Sequence, residues 1–379
     1  MIEAFAPGTG TERTARTGAP GPLARSRAAL WQAIADRDEY AAGAAVFAAL
    51  DSGVSPEDAL LEIIAPVQRT VGEEWAANRI TVAQEHAATA IHDRVIAAMA
   101  HRVPVDRPPA ARRAAVTVAC VDGEWHALPA RILAEVLRYR GHRVDFLGAQ
   151  VPTPHLIAHL HQTGPDAVAL SSSIPTRLPV AHAAITAVQA VGIPVIAGGA
   201  AFGADGSRAR LLGADAWAPD ARAAAHVLER GLRSLVPGDA RQIVDDLPHL
   251  SDQEYTMVSR GRRQLVKNTL AGLEERVPAM RAYTAAQHER TAEDVAHIVD
   301  FLAVALYTDD VDAFADFTAW TGDILAARGV PAHALDPALA LLQGELKDFP
   351  RALTLLDAGR AALGGRAHRP PSPAPGSAV

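Results

Sequence analysis

A short segment, Asp122-Gly123-Glu124-Trp125-His126, contains residues whose types and spacing suit metal binding. A histidine can present one ring nitrogen to a metal ion, while a carboxylate two positions earlier accepts a hydrogen bond from the other nitrogen and fixes the tautomer. We therefore interpret His126 as a candidate metal ligand and Glu124 as the residue that orients it. A loop histidine that hydrogen-bonds only to its neighbour is the alternative interpretation of this fragment.

A second group consists of Trp75 and the pair Glu85–His86, with nine residues between the tryptophan and the pair. These residue types can provide a flat apolar cover, an acceptor for sugar hydroxyls and a neutral imidazole for an open metal position. Each also has a structural interpretation. A tryptophan at a helix end is usually part of the core, and a Glu–His pair in a first helical turn is often solvated.

The elements that must position the first group follow from an alternation of apolar runs and amphipathic patterns over residues 112–236, which is typical of a parallel sheet. We predict a doubly wound, flavodoxin-like α/β domain with five strands, at Ala114–Val121, Arg143–Leu147, Ala167–Ser172, Val195–Ala197 and Ala214–Trp217. Such domains bind ligands at the carboxyl ends of their strands. The loop with His126 follows the first strand, so it lies where a ligand is expected.

The elements that must position the second group are helices within residues 25–103. Apolar residues recur there at helical spacing in four segments, Arg25–Asp36, Glu39–Leu50, Pro56–Ala77 and Val82–Ala100. Ser55 and Thr81 can cap the third and fourth helices, so these two helices are predicted to form an antiparallel hairpin. The hairpin would bring Trp75 and the Glu85–His86 pair to the same end of a four-helix bundle.

Residues 251–365 show helical patterns and no strand pattern, so they are predicted to form a third, all-α domain. Its expected helices are Tyr255–Leu273, Pro278–Gln287, Ala292–Leu306, Val311–Arg328 and Ala334–Leu363, the last with a break near Phe349–Pro350. Gly- and Pro-rich composition at residues 1–24 and 366–379 predicts a disordered tail at each end.

Composition narrows the class of protein. The net charge of −7 argues against a general nucleic-acid surface, and the single cysteine excludes an internal disulfide. The amino-terminal residues lack a signal-peptide pattern, and no apolar run is long enough to span a membrane. We therefore expect a cytoplasmic protein with no membrane partner and no direct nucleic-acid binding.

The α/β segment resembles the cobalamin-binding domain family, whose pattern is an acidic residue, any residue and His after the first strand, then serine and Gly-Gly at later strand ends. The matching residues here are Glu124, His126, Ser171, Ser172, Ser173, Gly198 and Gly199. The resemblance implies that His126 is the lower cobalt ligand and that the nucleotide tail occupies a slot beside the small residues. Pro129 departs from the pattern, because the family usually has Gly there, at the entry to the first helix.

The helical segment resembles the cobalamin photoreceptors of the CarH type. The resemblance implies that Trp75 packs on the adenosyl group of adenosylcobalamin and that Glu85 hydrogen-bonds its ribose. It also implies that His86 becomes the upper cobalt ligand after light removes the adenosyl group. Proteins of this type carry a DNA-binding domain ahead of the bundle, whereas this chain has only the predicted tail there.

The order of bundle, cobalamin domain and all-α domain resembles the photocobilins, which also bind biliverdin. The residues that could hold the bilin propionates and pyrrole nitrogens are Arg262, Arg263, His288, Arg290 and His297. A haem-binding helical sensor or a partner-docking bundle would fit the same pattern. Cys120 lies in the first strand, so the third domain has no cysteine for a thioether.

The sequence thus favours a light-sensing protein without enzymatic activity, which forms a light-dependent homo-oligomer and acts through an effector protein. An alternative is a corrinoid methyl carrier of a methyltransferase system, which needs His126 but not an adenosine-binding cap. A nucleotide-binding module is a third interpretation, although the first strand lacks the Gly-rich turn that binds a pyrophosphate.

Overall fold

A computed structural model describes residues 21–103, 114–232 and 247–366. These residues divide into two compact units, one ending at Leu247 and the other beginning at Pro248. Residues 104–113, residues 233–246 and most of both predicted tails lie outside the described residues. The first helix begins at Pro22 and the last ends at Arg366, so each overlaps the edge of a predicted tail. Within the described residues, no helix is both long and apolar enough to cross a bilayer.

The first unit begins with a four-helix bundle. Its helices are α1 (Pro22–Ala35), α2 (Glu39–Asp51), α3 (residues 56–76, as Pro56–Asp58, a π-helical stretch Ala59–Ile64, and Ala65–Ala76) and α4 (Val82–Arg102). The Ser55 hydroxyl accepts a hydrogen bond from Asp58 N, and Thr81 forms a capping box with Gln84. Asn78 has a left-handed backbone (φ 57°) between α3 and α4, which breaks the helix and allows the predicted hairpin.

The bundle is followed by a five-stranded parallel sheet of order β2-β1-β3-β4-β5, as the apolar runs predict. The strands are β1 (Ala115–Cys120), β2 (Arg143–Gly148), β3 (Ala167–Ser171), β4 (Val195–Gly198) and β5 (Ala216–Ala218). The helices around them are α5 (Ala127–Tyr139), α6 (Thr153–Thr163), α7 (Leu178–Ala190), α8 (Ser207–Leu211) and α9 (Ala221–Glu229). This order puts the switch point between β1 and β3, next to the His126 loop.

The bundle and the sheet domain share one apolar core. Leu128, Ile132 and Val136 of α5 belong to the same buried cluster as the apolar residues of α1 to α4. Ion pairs add to this junction: Glu57 at the start of α3 accepts hydrogen bonds from the guanidinium groups of Arg140 and Arg222. Apolar burial and charged hydrogen bonds therefore both hold the bundle against the α/β domain.

The second unit is all-α, as predicted. Its helices are α10 (Glu254–Arg276), α11 (Ala285–Thr308), α12 (Val311–Ala327), α13 (Asp336–Glu345) and α14 (Pro350–Arg366). Phe301 and Phe317 stack at its centre with ring centroids 3.7 Å apart. The break predicted near Phe349–Pro350 is present, since α14 begins at Pro350.

The helix predicted over Pro278–Gln287 is wrong. A short 3-10 turn covers Pro278–Ala282, Tyr283 is extended, and α11 begins at Ala285. The reason is a capping box, in which the Thr284 hydroxyl accepts a hydrogen bond from Gln287 N and the Gln287 side chain accepts one from Thr284 N. This cap fixes a helix start in the middle of the predicted segment.

Candidate functional site

The loop after β1 holds His126 at the amino end of α5. The Glu124 carboxylate is fully buried, and its Oε1 accepts hydrogen bonds from the backbone N of His126 (2.9 Å) and from its ring Nδ1 (2.7 Å). The second bond puts the ring proton on Nδ1 and leaves the lone pair on Nε2, as metal ligation requires. Pro129 lies in the first turn of α5 and does not interrupt it, because amides in a first turn have no partner within the helix.

The second oxygen of Glu124 ties this loop to the end of β3. Oε2 accepts hydrogen bonds from Ser173 N (2.6 Å), Ile174 N (3.0 Å) and Ser172 Oγ (3.3 Å). Burial raises the pKa of Glu124, but the hydrogen bonds from His126 and Ser173 lower it by more, so the pKa lies below its usual value. An ionised, buried carboxylate thus fixes the orientation of His126.

The Gly-Gly pair closes the same edge of the sheet. Gly198 ends β4, where its carbonyl accepts a hydrogen bond from Ser172 N, while Ser171 ends β3 and is buried. Gly199 has a positive φ of 98°, and a Cβ there would lie 2.3 Å from the Ser172 carbonyl oxygen. Glycine is therefore required at position 199 by close packing of the backbone between the β3 and β4 ends.

The bundle presents a similar acid–histidine pair in the first turn of α4. Glu85 Oε2 lies 2.6 Å from His86 Nδ1, and Glu85 Oε1 accepts a hydrogen bond from the Thr89 hydroxyl (3.0 Å). The His86 side chain is about half exposed, at 54%. Trp75, near the end of α3, is buried with 6% of its surface exposed. The structure therefore places a second imidazole with its Nδ1 held by a carboxylate at this end of the bundle.

Trp125 connects the two histidines. Its ring centroid lies 4.8 Å from that of His126 and 5.9 Å from that of His86, which it meets edge-on at 73°. The histidine of the bundle and the histidine of the α/β loop therefore flank the same indole. Sequence reasoning did not single out Trp125, although a bulky aromatic residue between the acid and the histidine was a usable signal.

Comparisons with known proteins match both parts of the first unit. Two families, each described as a B12 binding domain, match residues 26–99 and residues 114–227. The HTH-type transcriptional repressor CarH of Myxococcus xanthus is 31% identical over 153 residues. These regions form a CarH-like cobalamin-binding module. The match to CarH covers 40% of this chain and 50% of CarH, so the chain spans about half the length of that relative.

Solved structures also resemble parts of the chain. The monomethylamine corrinoid protein of Methanosarcina barkeri is 19% identical, with a TM-score of 0.46 over 53% of this chain and 95% of that one. A cobalamin-binding protein from Desulfitobacterium hafniense DCB-2 is 22% identical, with a TM-score of 0.29 over 53% of this chain and 96% of that one. Both likenesses are too loose to add to the assignment of the cobalamin-binding module.

The residues of the module fit a cobalt corrinoid. Imidazole is a suitable ligand for a first-row transition metal, and each of the two histidines has Nδ1 engaged by a carboxylate, which leaves the lone pair on Nε2. The two imidazoles come from different parts of the unit, one from the bundle and one from the α/β loop. His126 with Glu124 and His86 with Glu85 are therefore the residue pairs that would hold the cobalt.

The residues proposed for a bilin are spread along the α10–α11 hairpin. Arg262 pairs with Asp300, one turn beyond His297, and His297 Nδ1 is a buried atom with no hydrogen-bond partner among the described residues. Burial lowers the pKa of His297, so the ring is neutral. His288 lies near Glu274 at the other end of the hairpin, whereas Arg263 and Arg290 are exposed. The structure thus brings together only Arg262 and His297.

Sequence reasoning also missed a row of polar side chains inside the bundle, formed by Gln68, Thr89 and His92. The Gln68 amide donates to the Thr89 hydroxyl (2.8 Å), and Gln68 Oε1 lies 2.6 Å from His92 Nδ1. The available signal was their position on the apolar faces of α3 and α4, where a polar residue is unexpected. The Thr89 hydroxyl at the end of this row donates a hydrogen bond to Glu85, so the row is connected to the Glu85–His86 pair.

Proposed function

We propose that this protein is a light sensor that binds adenosylcobalamin between its bundle and its α/β domain. The observation that carries the proposal is that His86 of the bundle and His126 of the α/β loop, each held at Nδ1 by a carboxylate, both contact the ring of Trp125. A methyl carrier needs only the lower histidine. A second oriented imidazole on the bundle favours a protein whose upper cobalt position is meant to change its ligand.

Adenosylcobalamin supplies a cobalt–carbon bond that light can break. In the proposed complex His126 would hold the cobalt through Nε2, because the Glu124 carboxylate keeps the ring proton on Nδ1. Trp75 would provide an apolar cover for the adenosyl group, and Glu85 would accept hydrogen bonds from the ribose hydroxyls. His86 would supply a second imidazole ligand to the cobalt after light removes the adenosyl group. Trp125 contacts both imidazoles, so we propose that its side chain moves when the corrin enters.

The proposed output is a movement of the bundle, without a catalysed reaction. Pulling α4 toward the α/β loop changes the surface that the bundle offers to a second copy or to an effector protein, so self-association responds to light. Limits on that movement come from the apolar core shared with α5 and from the ion pairs of Glu57 with Arg140 and Arg222.

The test is an absorption spectrum of the full chain with bound adenosylcobalamin, in darkness and after green light. We expect a stable spectrum in the dark and, after light, a bis-imidazole cobalamin spectrum that the His86→Ala variant does not develop. His159→Ala is the matched control, because His159 lies on α6, outside the module's histidine pair, and this variant should respond like the wild type. An unchanged spectrum after light, or tighter binding of the methyl form together with methyl transfer to a partner enzyme, would exclude the sensor in favour of the carrier.

We also propose that the second unit binds biliverdin near His297 and Arg262. Support comes from the buried Nδ1 of His297, which has no hydrogen-bond partner among the described residues and can face a pyrrole nitrogen. It also comes from the Arg262 guanidinium on α10, which pairs with Asp300 one turn from His297 and can meet a propionate. Titration of the full chain with biliverdin should produce a red-shifted absorption band. His297→Leu should weaken this binding at least about tenfold, as for loss of one buried polar contact. Arg263→Gln changes a residue on the exposed face of α10 and should bind biliverdin as tightly as the wild type does. Equal affinity of the wild type, His297→Leu and Arg263→Gln would contradict this site.

A further inference from the structure

We infer that Gln68, Thr89 and His92 are positioning residues for the upper cobalt ligand. They form, with Glu85, one continuous row of hydrogen bonds that runs from the core of the bundle to His86. The inference rests on the proposed role of His86. It assigns a function to three residues that would not themselves touch the cofactor.

The direction of every bond in this row is fixed by its ends. The Glu85 carboxylate can only accept, so the Thr89 hydroxyl must donate to it and is left to accept from the Gln68 amide. The Gln68 oxygen then faces His92 and must accept from its Nδ1. Turning over the Gln68 amide would place its oxygen against the Thr89 hydroxyl, whose proton is already donated to Glu85, so the bond between Gln68 and Thr89 would be lost. The row is therefore continuous in only one arrangement.

The inner end of the row is the core residue His92. This side chain is fully buried, and its Nε2 has no hydrogen-bond partner among the described residues. Burial lowers the pKa of His92 to about 4, so the ring is neutral and carries its proton on Nδ1. A buried, half-satisfied imidazole costs folding free energy that an apolar side chain would not cost. A role in positioning the metal ligand would explain why a residue with this folding cost is present.

The outer end of the row is the ligand itself. Thr89 lies one helical turn after Glu85 and holds its Oε1, so the other oxygen, Oε2, is held 2.6 Å from His86 Nδ1. That bond selects the tautomer in which Nε2 has the lone pair, and it limits rotation of a side chain that is otherwise about half exposed. Gln68 and His92 thus fix Thr89, Thr89 fixes Glu85, and Glu85 orients His86.

The experiment measures how strongly His86 binds cobalt in the full chain loaded with aquocobalamin, from the absorption spectrum, beside the thermal unfolding midpoint. Removal of groups that orient a metal ligand typically weakens ligation 10- to 100-fold, so we expect a loss of about tenfold in Thr89→Val. Thr89→Ser keeps the hydroxyl and should stay within about twofold of the wild type. The double variant Gln68→Met/His92→Leu replaces both buried partners by apolar groups, so its midpoint should stay level or rise while ligation weakens about tenfold.

The outcomes separate this inference from the function on which it rests. If the wild type binds cobalt through His86, as shown by comparison with His86→Ala, but Thr89→Val and the double variant bind equally well, the positioning role is wrong and the sensor stands. If His86→Ala has the same spectrum as the wild type, both proposals fail. Ligation that weakens only in parallel with the unfolding midpoint would assign the row a structural role and overturn the inference.

Discussion

At the scale of single residues, the site depends on two carboxylates that each orient one histidine. Glu124 was predictable, because an acid two positions before a loop histidine has few other tasks, and the hydrogen bond to His126 Nδ1 is present. The bonds from Ser173 and Ile174 to its other oxygen were not predictable, since they join segments that are far apart in the sequence. Trp125 was missed for the same reason: its contact with His86 requires the bundle to pack on the loop.

Replacement of Glu124 tests the orienting role of the buried carboxylate. Glu124→Gln keeps the size but removes the charge, so His126 loses its ionised acceptor and the β3 amides lose theirs. We expect cobalamin affinity to fall about 10- to 100-fold, as for other groups that orient a metal ligand. Asp122→Asn makes the same change of charge in the same loop and is the control. Equal affinity of the two variants, measured by spectroscopic titration with aquocobalamin, would contradict the role.

His92 predicts a dependence of stability on pH. Its pKa is about 4 in the folded protein against an ordinary value of 6.5, so below pH 6.5 the unfolded chain takes up a proton that the folded chain refuses. The free energy of unfolding should therefore fall by up to about 3 kcal/mol between pH 7 and pH 4 relative to His92→Leu. Urea titrations of the wild type and His92→Leu at several pH values measure the two unfolding free energies. If the difference between them does not change with pH, the prediction is wrong.

At the scale of elements, most helices and strands follow from the sequence. The parallel strands are short apolar runs between amphipathic patterns, and Ser55 and Thr81 mark the starts of α3 and α4 through their caps. The segment around Thr284 was predicted wrongly, because it contains helix-forming residues on both sides of a cap. The π-helical stretch Ala59–Ile64 has no signal in the sequence pattern, since its residues have the apolar spacing of an ordinary helix.

The junction between the β3 and β4 ends predicts a contrast between two glycines. Gly199 and Gly192 both have positive φ, but only Gly199 has backbone within van der Waals reach of an added Cβ. Gly192→Ala should cost about 1–2 kcal/mol of unfolding free energy from its backbone conformation alone. Gly199→Ala should cost at least about 2 kcal/mol more, because the Cβ would overlap the Ser172 carbonyl. Chemical denaturation measures both; equal losses would mean that this junction is not tightly packed.

At the scale of the whole molecule, the sequence predicted the order of bundle, α/β domain and all-α unit but not what fastens the first two together. The pairing of Arg140 with Glu57 joins residues 83 positions apart, and no local pattern marks it. Both side chains are mostly buried, so their two hydrogen bonds contribute to the attachment of the bundle.

This attachment predicts the effect of Arg140→Gln. Loss of a charged, two-point hydrogen bond should lower the unfolding free energy of the first unit by about 1–3 kcal/mol. If the bundle moves after light, the variant should also change its self-association more readily than the wild type. Arg94→Gln is the control, because Arg94 forms an exposed ion pair with Glu39 within the bundle. Sedimentation before and after illumination compares them, and identical behaviour of both variants would show that the Arg140 pair does not restrain the bundle.

The central claim is that the imidazole of His126 takes the lower position on cobalt. The most direct measurement is the electron paramagnetic resonance spectrum of the protein loaded with cob(II)alamin, prepared with histidine labelled by ¹⁵N. The account predicts that the three-line splitting from the axial nitrogen becomes two lines in the labelled protein and that His126→Ala loses this change. Three lines in the labelled wild type would mean that the nucleotide base of the cofactor stays on cobalt, and would contradict the account.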